Sequence, residues 1–429
     1  MSQPSLPSRR SKRVQPIRHG RQPRNHWALS ILKATGITLV VALITGTSVG
    51  AFALGELNKS VASNAIDISN GAKGATPAPV PHIGAIDGGF NFLLVGTDND
   101  ANQGDAYGER DATLNDVNIL LHVSADHKSG VVVSIPRDLV VAHPDCTDPT
   151  TGKTFDAMSA RPFNEAFERG GLGCVVATAQ KLTGLDIPYA GTVSFNGVIA
   201  MTDAIGGVPV CVNEPIDDPY TGLNLPAGNT TISGATALAF LRNRHGVGDG
   251  SDLSRISAQQ AYMSSLMRTM KSASTLTDVG KLYSLARAAA TNVKLSSNLA
   301  SLDAMVAMAY ALKDVNLDQL VFVQYPGTTG DPDFPGKVMP QRDLAEQLFA
   351  AITADKPISL DANALGEGVV SDPSVPAPTD TAAPAPDAPA PTDGATAAPT
   401  GTPSTAGPEV IDGLKGQTAN TQTCAKANN

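Results

Sequence analysis

Residues 117–138, VNILLHVSADHKSGVVVSIPRD, indicate the fold class of this chain. Two apolar runs, Val117–Val123 and Val131–Ile135, have the length of buried strands, and the polar turn SADHKSG separates them. A connection this short predicts an antiparallel hairpin. A third apolar run of strand length, Phe90–Gly96 (FNFLLVG), precedes the pair. These three runs predict the centre of a β-sheet.

Downstream of this hairpin, helix-like and strand-like runs alternate. The predicted helices lie at 163–169, 175–183, 197–205, after Ser233 up to Gly246, from Asp252 to Arg268, and at 277–293, 298–313 and 341–352. The predicted strands lie at 189–195, 208–212 and 320–324. Helices interspersed with partly hairpin-paired strands predict an α/β/α sandwich with a mixed, partly antiparallel central sheet.

The N-terminus has the composition of a membrane anchor. Residues 1–26 hold seven of the 31 Lys and Arg and no acidic residue, so the remaining 24 basic residues face 40 acidic ones. This acidic excess argues against a nucleic-acid-binding body. Ala34–Gly55 is uncharged over 22 residues, and a helix of that length spans about 33 Å, enough to cross a bilayer.

We therefore predict a basic cytoplasmic arm at 1–26, a transmembrane helix at 28–55, a linker at 56–82 and a folded domain at 83–355. The positive charge on the N-terminal side predicts a single-pass protein of the cell membrane with its N-terminus in the cytoplasm and its folded domain outside. A cleaved signal peptide is the alternative, but its apolar region is usually only about 7–15 residues long.

The C-terminal part has a different composition, with ten prolines between residues 372 and 408. Such a segment buries too little apolar surface to offset its chain entropy, which predicts a disordered Pro/Ala/Thr-rich tail over 356–429. The four cysteines, Cys146, Cys174, Cys211 and Cys424, lack the paired C-x-x-C spacing of a zinc site. In an oxidising exterior they allow two disulfides in three possible pairings, and a bridge from Cys424 would tether the tail.

Three charged residues adjoin the three strands of the predicted sheet. Asp98 follows the first strand, Asp116 precedes the second and Arg137 follows the third. If the second strand runs opposite to its neighbours, all three residues meet at one sheet edge. Oxygen-only ligands favour Mg²⁺ or a similar hard ion. In the alternative interpretation each Asp caps a turn and Arg137 pairs with Asp138.

A second polar group surrounds a glycine-rich loop: Arg242, Arg244, Arg255 and Gln259. The spacing of Arg255 and Gln259 places both on one helix face. Clustered guanidinium groups repel one another unless an anion lies among them, and the planar guanidinium suits phosphate. The alternative is a structural cluster of ion pairs with Asp249 and Asp252 of the same loop.

Several motifs occur in an order that resembles the LytR–CpsA–Psr family. They are GTD (96–98), LND (114–116), SIPRD (134–138), FNEAF (163–167), VSFNG (193–197), AIGGV (204–208), LPAGN (225–229) and LRNRHGVGDGSDLSRISAQQ (241–260). The similarity covers about residues 90–270. The richness in Ala, Gly and Pro is typical of a high-GC Gram-positive bacterium, which favours an actinobacterial type. Members of the family are envelope glycopolymer transferases, and the resemblance implies that activity here.

The resemblance also implies roles for individual residues. It implies that Asp98 and Asp116 hold Mg²⁺ or Mn²⁺, that Arg137 acts with them in catalysis, and that the pyrophosphate meets Arg137, Arg242, Arg244, Arg255 and Gln259. Two positions depart from the family pattern, because Leu114 and Ala258 stand where the family usually has Arg. Arg110 is our hypothesis for a substitute of the first of these.

The implied reaction moves a glycopolymer from a polyprenyl-pyrophosphate lipid carrier onto peptidoglycan through a phosphodiester bond. Either Asp98 or Asp116 would assist proton removal from the acceptor hydroxyl. The Ala-, Leu- and Met-rich helices after 277 could line a groove for the lipid, or pack as ordinary core. Two alternatives are a pyrophosphatase acting on the lipid-linked diphosphate and a non-catalytic wall- or lipid-binding protein. A signalling role for the basic arm is disfavoured, because 26 residues are too few for a DNA-binding fold.

Overall fold

The computed structural model describes residues 55–56, 58–69, 88–98, 113–272, 278–375 and 408–428. The chain divides into two units, Met1–Gly55 and Glu56–Asn429, and all elements below belong to the second. The predicted cytoplasmic arm, and the predicted transmembrane helix except for Gly55, lie outside the described residues. Among the described residues, none of the helices has both the length and the apolar composition needed to cross a bilayer.

The strands of the described residues, in chain order, are β1 (Phe90–Thr97), β2 (Asn115–Val123), β3 (Gly130–Ser134), β4 (Val140–His143), β5 (Cys146–Thr147), β6 (Thr154–Phe155), β7 (Met158–Pro162), β8 (Tyr189–Ser194), β9 (Val208–Val212), β10 (Ile216–Asp218), β11 (Leu223–Leu225), β12 (Gly228–Ile232), β13 (Val293–Leu295), β14 (Leu320–Gln324), β15 (Gly327–Thr328), β16 (Met339–Pro340), β17 (Ile358–Ser359), β18 (Val369–Ser371), β19 (Glu409–Val410), β20 (Gly416–Thr418) and β21 (Thr423–Ala425). The helices are α1 (Ala166–Thr183), α2 (Phe195–Ile205), α3 (Gly234–Arg242), α4 (Asp252–Lys271), α5 (Val279–Asn292), α6 (Leu302–Lys313) and α7 (Arg342–Thr353), with a 3₁₀ turn at Phe163–Glu165.

A mixed sheet forms the centre of the fold, with the strand order β13-β8-β1-β2-β3-β14-β20. Strand β2 runs antiparallel to both β1 and β3, whereas β8 is parallel to β1 and β14 is parallel to β3. The predicted hairpin and the predicted mixed, partly antiparallel sheet are therefore confirmed.

Apolar side chains pack against both faces of this sheet because successive residues of a strand point to opposite sides. Val131 and Val133 of β3 belong to a core cluster that includes residues of α1 and α7. Val132 belongs to a second cluster with residues of α5 and α6. All five residues of β3 are buried, as expected of a central strand with both faces covered.

A smaller sheet carries the C-terminus, with the order β12-β9-β21-β18. The prediction of disorder over 356–429 is wrong for residues 356–375 and 408–428. Strand β20 pairs with β14 at the edge of the central sheet, and β21 lies between β9 and β18. Ile411 and Leu414 are buried in the first core cluster. The terminal residues need no core of their own, because they add strands to sheets that already have one.

Two disulfides complete this arrangement, Cys146–Cys174 and Cys211–Cys424. Of the three pairings that the sequence left open, the structure selects this one, and the predicted tether from Cys424 is confirmed. Within the described ranges, Cys211 and Cys424 are also grouped with Asp372 at metal-binding distance. Because both sulfurs are in the disulfide, no thiolate is left to bind a metal there.

Helix boundaries differ from the sequence interpretation at two caps. Helix α4 begins under the side chain of Ser251, which accepts the Ser254 N–H, so Asp252 is the first helical residue instead of the cap. Helix α3 ends at Arg242, earlier than predicted, because Asn243 has extended backbone angles. The gap predicted between the helices at 163–169 and 175–183 contains a kink inside α1 at Gly170 and Gly171, where Gly171 has a φ of +60°, which favours glycine.

Candidate active site

The edge of the central sheet brings together residues from the ends of three strands. Asp98 follows β1, Asp116 is the second residue of β2, and Arg137 follows β3. Nη1 of Arg137 lies 2.7 Å from Oδ1 of Asp116. The predicted convergence of Asp116 and Arg137 is therefore confirmed.

Asp98 is fully buried at the end of β1. Its Oδ1 accepts the Leu114 N–H at 2.9 Å, and its own N–H donates to the Leu114 carbonyl at 3.3 Å. These bonds hold the end of β1 against the residue that precedes β2. Asp98 therefore occupies a fixed position next to the strand that carries Asp116.

The arginine-rich loop between α3 and α4 meets the same edge. Nη2 of Arg255 donates to the backbone carbonyl of Asp116 at 3.3 Å, although the two residues are 139 positions apart. Arg255 is also paired with Asp252, with 2.5 Å between Nη2 and Oδ1. The two charged groups that the sequence singled out separately thus form one site.

The other arginines of the loop have distinct partners. Nε of Arg244 donates to the Gly250 carbonyl at 2.9 Å, and its Nη1 lies 3.8 Å from Oδ2 of Asp138. The guanidinium of Arg242 lies over the ring of Phe195, 4.6 Å from its centroid. The ion pair of Arg255 with Asp252 matches the structural interpretation, and the guanidinium groups of Arg242, Arg244 and Arg255 all line one cavity.

Asp138 is a buried carboxylate that several cations share. Nζ of Lys337 lies 2.9 Å from its Oδ1, and Nε of Arg137 lies 3.7 Å from its Oδ2. Together with Arg244, three cations surround one acidic group, so the local charge remains positive. The sequence interpretation had considered Asp138 only as a partner of Arg137 and missed Lys337, which no local spacing connects to the site.

Burial and ion pairing act in opposite directions on these arginines. For Arg255, burial lowers the pKa, and the neighbouring Asp252 offsets this only in part. For Arg137, burial is the largest single effect and lowers the pKa, but the charge and hydrogen bond of Asp116 together with the charges of Asp252 and Asp138 outweigh it, so the pKa is raised. An Arg pKa lies so far above neutrality that both side chains are cationic at physiological pH.

A cavity of about 360 Å³ opens between these residues. Its charged and polar lining comprises Asp116, Arg137, Asp218, Tyr220, Thr221, Arg242, Arg244, His245, Arg255 and Gln259. All described members of the predicted pyrophosphate set line it, and Arg110 lies outside the described residues. Nε2 of Gln259 donates to the Leu241 carbonyl at 2.7 Å, which fixes that side chain beside the arginines. Asp98 is not among the lining residues.

Apolar side chains form the rest of the cavity wall: Leu94, Val117, Ile119, Val193, Phe195, Val198, Leu238, Leu241 and Met263. They come from β1, β2, β8, α2, α3 and α4. None of the cavity's lining residues lies after 277, so of the two roles considered for the later helices the structure supports packing as ordinary core. Those helices contribute Ala290, Ala304 and Ala311 to the second core cluster instead.

A sequence profile of the LytR_cpsA_psr family matches residues 52–348. This chain belongs to the LytR_cpsA_psr family. The match spans the central sheet except for β20, and it includes both charged groups and the whole cavity lining. It confirms the family that the order of the sequence motifs indicated.

Relatives within the LytR_cpsA_psr family come from several bacteria. The cell wall biosynthesis protein LcpA of Corynebacterium glutamicum is 29% identical over 320 residues, covering 69% of this chain and 59% of the relative. The chain thus spans less than two thirds of that protein's length. The polyisoprenyl-teichoic acid–peptidoglycan teichoic acid transferase TagT of Bacillus subtilis is 25% identical, covering 68% of this chain and 86% of TagT.

A solved structure with the same fold is protein gbs0355 from Streptococcus agalactiae. It aligns with a TM-score of 0.51 at 19% identity, covering 62% of this chain and 88% of that one. At that level of identity the likeness concerns the fold alone. It supports the mixed α/β architecture of the LytR_cpsA_psr chain described above.

Proposed function

We propose that this chain moves a glycopolymer from a polyprenyl-pyrophosphate lipid carrier onto peptidoglycan through a phosphodiester bond. The observation that carries the proposal is the composition of one cavity, in which four guanidinium groups and the carboxylate of Asp116 share a wall with nine apolar side chains. A lipid-linked diphosphate likewise combines a charged part, the diphosphate, with an apolar part, the lipid chain. The Bacillus subtilis relative TagT is a polyisoprenyl-teichoic acid–peptidoglycan teichoic acid transferase, which supports the same substrate class.

The guanidinium groups suit a diphosphate because each presents a planar fork of donors to phosphate oxygens. Arg137 and Arg255 are held by Asp116 and Asp252, and Arg242 rests on the Phe195 ring. Their positions are therefore set before substrate arrives. Guanidinium groups held in place in this way stabilise the negative charge that builds up on phosphate oxygens in the transition state.

We propose Asp98 and Asp116 as ligands of Mg²⁺ or Mn²⁺. The residues fit such an ion, since both donors are carboxylate oxygens of the kind that hard divalent cations prefer, and they lie at neighbouring strand ends. When bound, the ion would neutralise phosphate charge. Arg137 already pairs with Oδ1 of Asp116 at 2.7 Å, so the protein itself orients that carboxylate.

In the proposed reaction an acceptor hydroxyl, such as the 6-hydroxyl of N-acetylmuramic acid, attacks the phosphorus nearer the glycan. A new oxygen–phosphorus bond forms while the bond to the bridging oxygen breaks, and polyprenyl phosphate leaves with that oxygen. The hydroxyl proton passes to a carboxylate. Of the two candidates, Asp116 lines the cavity and Asp98 does not, which favours Asp116 for contact with the hydroxyl.

We also propose that the protein is a single-pass protein of the cell membrane with the site outside the cytoplasm. Two disulfides support this placement, because such bonds persist in oxidising compartments. The basic residues before the apolar run Ala34–Gly55 favour a cytoplasmic N-terminus. The membrane would then present the lipid carrier, and the wall the peptidoglycan.

The full chain in detergent, incubated with Mg²⁺, a polyprenyl-diphosphate-linked oligosaccharide and peptidoglycan oligomers, tests the proposal. Covalent transfer of the oligosaccharide supports it. Release of glycan phosphate without transfer would indicate a pyrophosphatase. Binding of the lipid-linked oligosaccharide without any reaction would indicate a non-catalytic binding protein. Asp116→Ala and Arg242→Ala should each abolish transfer, whereas Lys356→Ala, which removes an exposed cation paired with Glu409, should leave the rate unchanged.

A further inference from the structure

An exposed aromatic ring lies at the rim of the cavity. Tyr220 is 76% exposed, the largest value among the exposed large hydrophobic side chains of the described residues. It lines the same cavity as Arg242 and Arg244. Leaving an aromatic ring in water forgoes the free energy that burial would give. An exposed apolar side chain beside a charged cavity therefore indicates a contact surface for a ligand.

The backbone beneath Tyr220 is fixed. Tyr220 lies in the turn between β10 and β11, where Oδ1 of the buried Asp218 accepts the Tyr220 N–H at 3.0 Å and its Oδ2 accepts the Thr221 hydroxyl at 2.8 Å. The Gly222 N–H donates to the Asp218 carbonyl at 2.9 Å, and a φ of +71° at Gly222 suits glycine. The turn thus presents the ring from a rigid support.

One partner of the ring is His245, in the arginine-bearing loop. The two ring centroids are 4.4 Å apart with 40° between the planes. The His245 carbonyl accepts the side-chain amide of Asn428 at 2.9 Å. Within the described residues, Tyr220 has no second stacking partner. We call this pair of rings, Tyr220 and His245, the aromatic platform.

A pyranose ring matches the aromatic platform. The C–H groups on one face of a sugar are weakly positive and apolar, and the face of an aromatic ring is negative. A sugar bound directly to the diphosphate must lie within a few bonds of the phosphates, as the platform lies beside Arg244. The isoprenoid, by contrast, has its own apolar wall, which includes Leu94, Ile119 and Met263.

We propose that the aromatic platform stacks against a pyranose ring of the glycan substrate, next to the diphosphate. This inference rests on the proposed function, since it names the sugar subsite of that same cavity. The ring could come from the first sugar of the lipid-linked donor or from the peptidoglycan acceptor. Both sources share the chemistry of a stacked sugar face, and the experiment below separates them.

Binding is measured first, on the full chain in detergent, with two probes. One is a polyprenyl diphosphate that carries a single N-acetylglucosamine, and the other is the same polyprenyl diphosphate without sugar. If the stacked pyranose belongs to the donor, Tyr220→Ala should lower the affinity for the sugar-bearing probe by about three- to tenfold. The affinity for the sugar-free probe should stay within about twofold of the wild-type value. Tyr220→Trp should retain affinity, because it restores an aromatic face. Tyr283→Ala, which removes an exposed tyrosine of α5 outside the cavity, is the matched control.

Transfer kinetics form the second arm. If the acceptor supplies the ring, Tyr220→Ala should raise the KM for peptidoglycan oligomers about three- to tenfold at saturating donor, without a matching fall in kcat, while donor binding stays unchanged. An equal loss for both diphosphate probes, or no change in either arm, overturns the proposal. If the wild-type protein binds the sugar-bearing probe but transfers nothing, the proposed transferase function is wrong. The binding experiment with the two probes still tests the sugar subsite in that case. Tyr220→Ala should not change the melting temperature of the protein, because the Tyr220 side chain is exposed.

Discussion

Nη1 of Arg137 lies 2.7 Å from Oδ1 of Asp116, and this ion pair joins the segment after β3 to the start of β2. The backbone carbonyl of Asp116 accepts a second cation, Nη2 of Arg255 at 3.3 Å. One residue thus connects two arginines that lie 118 positions apart by their residue numbers. The charged wall of the cavity is therefore assembled by tertiary contacts, before any ligand binds.

Replacing Arg137 by Lys tests whether its geometry or only its charge is needed. Lys keeps the positive charge beside Asp116 and Asp138 but lacks the planar fork of donors. We expect the transfer rate to fall by about 100-fold, as for the loss of one transition-state hydrogen-bond donor. The measurement is kcat with the lipid-linked oligosaccharide at saturating concentration. Arg287→Lys, the same change at an exposed position of α5, should have no effect, and an equal rate in both variants would contradict a role for the fork.

The ring beneath Arg242 offers a second test. Its guanidinium lies 4.6 Å from the centroid of Phe195, and such a contact contributes about 0.5–1 kcal/mol or more when desolvated. Phe195→Leu should therefore weaken binding of a polyprenyl diphosphate by about two- to fivefold, measured by titration. Phe155→Leu removes a ring that lies 5.9 Å from the guanidinium carbon of Arg169, outside the cavity, and should leave binding unchanged. If both variants bind equally well, the ring does not orient Arg242.

Residues 426–428 hold the arginine-bearing loop by hydrogen bonds. Asn428 donates its side-chain amide to the His245 carbonyl at 2.9 Å and its N–H to the Gly246 carbonyl at 3.1 Å. The Gly248 N–H donates to the Lys426 carbonyl at 2.8 Å. Asn428→Ala should speed amide hydrogen exchange in residues 244–250 and raise the KM for the lipid-linked donor about threefold, by the loss of about one hydrogen bond.

Asn420→Ala is the control for that change, because its amide binds Asp318 at 2.8 Å in the same C-terminal segment but away from the loop. It should alter neither exchange in 244–250 nor the KM. Equal effects of the two variants would mean that the segment acts only through general stability.

His143 makes stability depend on pH. Burial, followed by the charge of Arg169, lowers its pKa from 6.5 to about 4. A lowered pKa means that the folded state disfavours the charged imidazole, so the contribution of neutral His143 is complete above pH 6.5 and is lost as the pH falls towards 4. The free energy of unfolding should drop by on the order of 1–3 kcal/mol over that range. Urea unfolding of wild type and of His143→Gln between pH 7 and 4.5 measures this, and identical slopes would contradict it.

Much of the site follows from sequence patterns alone. Asp98, Asp116 and Arg137 lie at one edge of the sheet because β2 runs antiparallel to β1 and β3. The C-terminal ends of β1 and β3 therefore lie beside the N-terminal end of β2. The four-residue spacing of Arg255 and Gln259 places both on one face of α4, and both line the cavity. These inferences need only local periodicity and the direction of adjacent strands, which is why they succeed.

Long-range partners could not be predicted in this way. Lys337 reaches Asp138 across 199 positions, and Asn428 reaches His245 across 183. The disordered-tail prediction failed for the same reason, since composition reports whether a segment can form its own core and not whether it can join an existing sheet. Tyr220 gave no signal either, because its exposure depends on the hairpin that carries it.

The placement of β21 between β9 and β18, with the disulfide between Cys211 and Cys424 across 213 positions, makes the smaller sheet depend on residues made long after β9. A ribosome-bound or truncated chain that stops before Thr423 would leave β9 with an open edge and Cys211 with no sulfur to join. If the body is secreted as proposed, the arginine-bearing loop gains the hydrogen bonds from Asn428 only after residue 428 has left the translocon.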